Sequence, residues 1–480
     1  MWSITNEECS FVKRVARDAP TGQDQELKQR LATFVLDFVR SSGGLRRLTL
    51  DDDLAFESWL ERTSYSRKKK NELSQLHKKV CELPVKMVCK TVKAFIKNEA
   101  YPMYKAPRAI LARSDEFKVL VGPMFKAIEE LVYDLKSPNG FPYFIKKIPI
   151  PERPKVILEN LGDGNGFTDE PLMHKRRVLV TDYSQFEASF TPEIMDILEM
   201  QLYHYMIENL PEFVKFKELI DTLKAINVCV FRHFKFKIKG RRMSGEMNTS
   251  LGNGFSNLMI TLFTLTVHGC RDIRLFVEGD DCVCTYWGPV ISSDFLVRLG
   301  FLVKLKYLTS PCEASFCGNI FDLFSLVVIA DPIKILLNFS WINMKYFRSS
   351  HAMKMGLLRS RALSLIYQYS GCPVIQPFAM RVLELTKGFK AVLDTTIDGY
   401  HKHIYEAAIA LEPKLQDVLR PVSFKSRELM FSVYEISISF QLMLEDHFAK
   451  MEFGPINCPI VLSTVNADML HYYEHYVRQL

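Results

Sequence analysis

The stretch Arg274–Tyr286 reads RLFVEGDDCVCTY. Apolar and β-branched residues flank Gly279-Asp280-Asp281, which predicts two short strands meeting at a tight turn. A hairpin of this kind holds two carboxylates at its tip, where they can bind a divalent metal. Alone the triplet carries little weight, because average residue usage produces it by accident in roughly one chain in ten of this length. The bland alternative is a plain turn. Its neighbours along the chain decide between the two.

Immediately upstream lies Gly240–Gly269, GRRMSGEMNTSLGNGFSNLMITLFTLTVHG. Gly240, Gly245, Gly252 and Gly254 predict a flexible first half, and Ser244, Thr249, Ser250 and Asn253 supply hydroxyl and amide groups. The strongly apolar second half predicts a buried helix. A glycine-rich loop entering such a helix can bring backbone and hydroxyls close to a substrate; taken singly, it reads rather as a polar loop before a core helix.

Further back, Arg176–Asp196 reads RRVLVTDYSQFEASFTPEIMD. Val178-Leu179-Val180 predicts a buried strand with Asp182 at its end. Thr191-Pro192-Glu193 is a helix start, with threonine as cap, proline in the first turn and an acid near the positive pole. Strand, acidic loop and helix is a common setting for a metal-binding aspartate, and also for one that merely caps.

From Val92 the chain alternates cations with apolar residues: Lys93, Lys97, Lys105, Arg108 and Arg113, with Pro102 and Pro107 ruling out a continuous helix. A basic ribbon that turns its cations to one side suits a triphosphate or a nucleic-acid backbone. Residues 1–90 predict charged helices whose RKKK run, Arg67–Lys70, is a solvated face. Residues 134–175 predict loops and short strands. Downstream, Ser292–Leu299 predicts a helix ended by Gly300, followed by a basic strand and the short segment ASFCGNIFD. From about Asp331 the pattern is mostly helical.

Bulk properties set the bounds. The 480 residues, 48% of them hydrophobic, suffice for a large core of about three domains or one multi-lobed unit. The formal charge of +7, from 62 basic and 55 acidic residues, is compatible with nucleic acid and equally with an ordinary basic enzyme. Eleven cysteines without CxxC spacing predict free thiols in a reducing compartment and no zinc site. The apolar runs Phe255–His268 and Phe321–Phe339 are too short or too interrupted to span a membrane, so membrane attachment is expected only through partners or segments absent here.

In chain order, basic ribbon, strand with Asp182, serine-glycine loop with its helix and Asp280-Asp281 hairpin, the four stretches resemble the RNA-dependent RNA polymerases of positive-strand RNA viruses, with the tombusvirus and nodavirus-like group nearest. The resemblance covers about Lys93 to Phe321. Its specific core is the S-G-x-x-x-T-x-x-x-N spacing at Ser244, Gly245, Thr249 and Asn253, joined in order to DYSQFE and EGDD.

The resemblance implies an α+β right hand. Fingers and an N-terminal helical extension would take residues 1–175, a palm of antiparallel sheet backed by helices 176–325 with a fingers insertion at about 205–240, and a helical thumb 326–480. It implies template-directed nucleotidyl transfer from NTPs to an RNA 3′-hydroxyl, with Asp182, Asp280 and Asp281 as catalytic metal ligands for Mg²⁺, or Mn²⁺ as substitute. Lys105, Arg108 and Arg113 would meet the triphosphate, with Lys97 a weaker candidate, and either Lys304 or Lys306 the leaving pyrophosphate. Glu187, Ser244, Thr249 and Asn253 would read the ribose. Glu187 stands where the family usually carries aspartate.

Partners implied are template and nascent RNA, NTPs and viral or host replication-complex proteins, in the host cytoplasm at membrane-associated replication complexes. A reverse transcriptase is the enzymatic rival, but that family usually has an aromatic or hydrophobic residue before its paired aspartates. An inactive relic that binds RNA is the other rival, and three intact acids argue against it.

Overall fold

The computed structural model describes residues 3–16, 24–41, 44–81, 83, 91–97, 106–162, 176–339, 342–397 and 399–452. The fold is mixed α+β, and the chain divides into two compact units. Of the described residues, 3–97, 106–147 and 176–308 belong to the first, and 148–162 and 309–452 to the second.

The first unit holds two four-stranded sheets. One contains β1 (Thr91–Ile96), β2 (Ala109–Arg113), β4 (Ile226–Val230) and β5 (Lys235–Lys239), in the order β2-β1-β4-β5. Residues 226–239 thus join the N-terminal strands, with β4 parallel to β1 and β5 antiparallel to β4. The other contains β3 (Arg176–Tyr183), β6 (Arg271–Glu278), β7 (Asp281–Trp287) and β8 (Val303–Leu308), in the order β6-β7-β3-β8 and all antiparallel. Its inner strand β7 is buried from Cys282 to Tyr286, as expected where both neighbours and both faces are occupied.

The helix Thr249–Val267 packs against this sheet and is buried continuously from Leu251 to Leu265, the pattern of a helix apolar all round. It begins earlier than a flexible glycine loop would allow, so Gly252 and Gly254 lie inside it. Their role is close approach. A Cβ on Gly252 would meet Arg242 Nη2 at 2.6 Å, and one on Gly254 would meet Phe144 Cε1 at 3.1 Å and the backbone nitrogen of Gly279 at 3.6 Å. Thr191 caps the helix Pro192–Ile197 by accepting from Ile194 N at 3.3 Å. Gly300, at φ +97°, ends the helix Ser293–Leu299.

Residues 134–162 depart from the expectation of loops and strands, because Arg153–Leu161 is a helix with Pro154 in its first turn. Proline is compatible there, since the first helical amides have no partner inside the helix.

The second unit is mainly helical around a core that includes Ile329, Ile366, Phe378 and Phe448. Its short antiparallel pair, β9 (Ile320–Asp322) and β10 (Val327–Ile329), is tied to the helix Phe424–Tyr434 through buried Asp322, which accepts from Ser426 Oγ at 2.6 Å. Among the described residues no two cysteines are joined by a disulfide. Among the described residues no helix is long and apolar enough to cross a membrane.

Candidate active site

The β6–β7 hairpin closes with Glu278 opposite Asp281, so its loop is two residues, Gly279 and Asp280. Gly279 has φ +57° while Asp280 is not among the positive-φ residues. Glycine at the first loop position is what a II′-type hairpin turn requires, because an L side chain there is strained. The loop is held from the Thr249–Val267 helix. Fully buried Asn257 donates through Nδ2 to the carbonyls of Gly279, at 3.2 Å, and Asp281, at 3.1 Å. Gly254, one turn earlier, leaves room for the hairpin to lie against the helix.

β3 brings the third acid. It pairs with β7 down to Thr181–Cys282, and one further step in that register sets Asp182 beside Asp281. On its other side Asp182 is the direct partner of Lys304, with Lys306 two pairs further along, opposite Val180. Directly opposed residues share a sheet face. Both lysines therefore lie on the face of Asp182, with Lys304 its immediate neighbour.

Beyond β3 the chain passes through Gln185, whose left-handed φ of +58° is uncommon for a residue with a side chain. That turn leads into the short 3₁₀ segment Phe186–Ser189, which carries Glu187. Burial pushes the Asp280 carboxyl above the ordinary carboxylate range, with the negative charge of Glu187 next and that of Asp182 adding to it; its own backbone N–H and Arg108 act the other way. As a residue Asp280 is open to solvent, and the charges of Glu187 and Asp182 act on it there. These interactions put Glu187, Asp182 and Arg108 within electrostatic reach of Asp280.

The Gly240–Asn248 loop is anchored by buried charge. Arg242 pairs with Glu199 at 2.6 Å, both fully buried, and its guanidinium lies 4.6 Å over the ring of Phe190. Ser244 is tied to β2, donating to Ala109 O at 3.1 Å and accepting from Leu111 N at 3.4 Å. Thr249 Oγ1 donates to Met243 O at 3.0 Å. Asn253 is buried, and among the described residues its Oδ1 has no hydrogen-bond partner.

Arg113 differs from the expectation of a phosphate-facing cation. It shares a sheet face with Val92 and Leu111, since side chains alternate along a strand, and is only 1% exposed. Its guanidinium pairs with Glu246, with Nε at 2.8 Å, and Nη1 donates to Asn227 Oδ1 at 2.8 Å. The cations of the ribbon therefore do not face one way. Arg108 and Lys97 are exposed, and Lys105 lies outside the described residues.

Sequence reasoning missed Asn257, Glu246 and Glu199. Asn257 is separated by four residues from Asn253, a helical spacing that places both on one side of the helix, and that was the only signal available.

Among the described residues no group of three or more His, Cys, Asp or Glu side chains is gathered as a ready metal site. The donor set nevertheless suits a hard divalent cation: it is all carboxylate oxygen, and the repulsion at Asp280 is of the kind such a cation relieves.

Residues 182–287 match the family described as viral RNA dependent RNA polymerase. The chain is also similar to the RNA-directed RNA polymerase of Oat chlorotic stunt virus (isolate United Kingdom), 25% identical over 262 residues covering 50% of this chain and 33% of that protein. With that of Tobacco necrosis virus (strain D), identity is 22% over 384 residues, covering 73% and 48%. With that of Turnip crinkle virus it is 26% over 216 residues, covering 44% and 26%. The chain spans less than half the length of these relatives. The similarity supports a viral polymerase-type function, related to plant positive-strand RNA viruses and broadly Tombusviridae-like.

Proposed function

We propose that the chain carries the nucleotidyl-transfer site of a viral RNA-directed RNA polymerase that copies a positive-strand genome. The observation that carries this reading is the strand register at the hairpin tip, which sets Asp182 beside Asp281 and opposite Lys304. In this reading the β6-β7-β3-β8 sheet would be the palm, the β2-β1-β4-β5 sheet would belong to the fingers and the C-terminal helices to the thumb.

Asp182 and Asp280, with Asp281 beside them, would hold Mg²⁺, or Mn²⁺ in its place. Bound there, such ions activate the attacking 3′-hydroxyl and neutralise the departing pyrophosphate. Arg108 and Lys304 place positive charge around the acids and suit the triphosphate. Glu187, Thr249 and Asn253 are available to the ribose, and the buried Asn253 Oδ1 is an acceptor a 2′-hydroxyl can satisfy. A deoxynucleotide would leave that acceptor unpaired, which disfavours it. Ser244 would serve the same pocket by fixing the loop to β2.

The substrates are template and nascent RNA with NTPs. The setting proposed is the host cytoplasm, in membrane-associated replication complexes with viral or host proteins. Incorporation of labelled NTP on a single-stranded RNA template with Mg²⁺ tests this reading, and preferential use of dNTP would replace it with reverse transcription.

A further inference from the structure

The β2-β1-β4-β5 sheet has two unlike faces. One carries Val92, Ala94, Leu111 and Cys229 and is covered by the N-terminal segment through Phe11 and Val15; the Phe11 ring lies 3.9 Å from that of Phe236, tilted by 42°. The other is open. Register places Lys235, Lys237 and Lys239 of β5 opposite Val230, Val228 and Ile226, and Val230 opposite Lys93 of β1. The same face continues to Phe95, paired with Ile110, and β2 begins one residue after Arg108.

This face carries four lysines and no acid, and among the described residues none of the four has an ion-pair partner. Elsewhere in the first unit several lysines are answered locally, as Lys69 is by Asp115 and Lys224 by Asp196. Lysines left unpaired across a whole sheet face repel one another, so their arrangement is complementary to a polyanion. Alternate residues on β5 recur about every 6.8 Å, of the same order as successive phosphates on an extended single strand. The exposed ring of Phe95 (38% exposed) offers a stacking surface. The row ends toward Arg108, whose charge reaches Asp280.

We propose that this open face is a track for single-stranded RNA, with Lys93, Lys235, Lys237 and Lys239 on the backbone and Phe95 beneath a base. The choice of RNA among polyanions rests on the polymerase reading. The electrostatic track itself does not.

The test measures binding of the full chain to a fluorescein-labelled single-stranded RNA of about 16 nucleotides by anisotropy across a salt series. Lys235→Ala/Lys237→Ala/Lys239→Ala should weaken binding about tenfold or more at low salt, and flatten the slope of log affinity against log salt by about 2. Lys→Arg at the same three positions should restore both. Phe95→Ala should lower affinity several-fold with the slope unchanged. Should the triple alanine protein not fold, Lys237→Glu alone gives the same reading.

Affinity and slope equal to wild type would overturn the proposal. So would loss of binding to phosphatidylserine vesicles with RNA binding intact, which would make the face a membrane contact. Binding is read without incorporation, so a protein that binds RNA through these lysines yet incorporates nothing would overturn the polymerase reading and leave the track standing.

Discussion

Asn257 and Gly279 are joined across the site: Asn257 Nδ2 donates to the Gly279 carbonyl at 3.2 Å, and the same nitrogen reaches the Asp281 carbonyl at 3.1 Å. One amide thus holds both ends of the turn that presents Asp280. Asn257→Ala removes the donor and leaves carbonyls of a packed turn unpaired, a loss of about 1–3 kcal/mol. Thermal melting should show the drop. Incorporation rate should fall at least about tenfold while the KM for NTP changes little, because the acids lose their placement and the nucleotide contacts remain. A variant with full rate would mean that the turn holds itself.

Lys304 and Lys306 were equivalent in the sequence, and the β3–β8 register separates them, with Lys304 directly opposite Asp182. Lys304→Ala should slow incorporation about tenfold or more, the size typical of a lost charge or proton-transfer group. Lys306→Ala should stay within about twofold of wild type. Steady-state rates of the two variants decide this, and equal losses would show that the register does not select between them.

The repulsion at Asp280 has a sign that can be checked. An acid whose pKa is raised on folding is uneasy in its charged form, so the cost is present at neutral pH and disappears as pH falls through the raised value. Asp280→Asn should therefore melt above wild type at pH 7 without divalent metal, and the gap should close on acidification. Mg²⁺ should raise the melting temperature of wild type, since a ligand that binds only the folded protein stabilises it. It should do little for Asp280→Asn. Equal Mg²⁺ shifts in both proteins would remove Asp280 from the metal site.

Local signals made much of the fold legible. The hairpin was readable because Gly279 supplies a conformation that few residues adopt and because strand residues flank it. The start at Thr191 and the stop at Gly300 were readable because capping is local chemistry. Long-range pairing was not legible in this way. Nothing near Ile226 announces that it joins a sheet begun at Thr91.

Gly252 and Gly254 resembled loop residues until the helix around them showed that they clear space for Arg242 and for the hairpin. Arg113 looked like its basic neighbours, yet it stands two residues from buried Leu111, and alternation turns it to the same buried side. Charge alone could not separate a phosphate-facing arginine from one neutralised by Glu246, because that partner comes from a loop far along the chain.

The central claim is that Asp280 belongs to a metal-dependent site for ribonucleotide transfer. It is tested most directly by following labelled NTP incorporation on a single-stranded RNA template with Mg²⁺, wild type beside Asp280→Ala, with RNA binding measured on both. Incorporation by wild type alone, with RNA bound equally by the two proteins, is the result predicted. An Asp280→Ala protein that incorporates as wild type does would contradict the assignment.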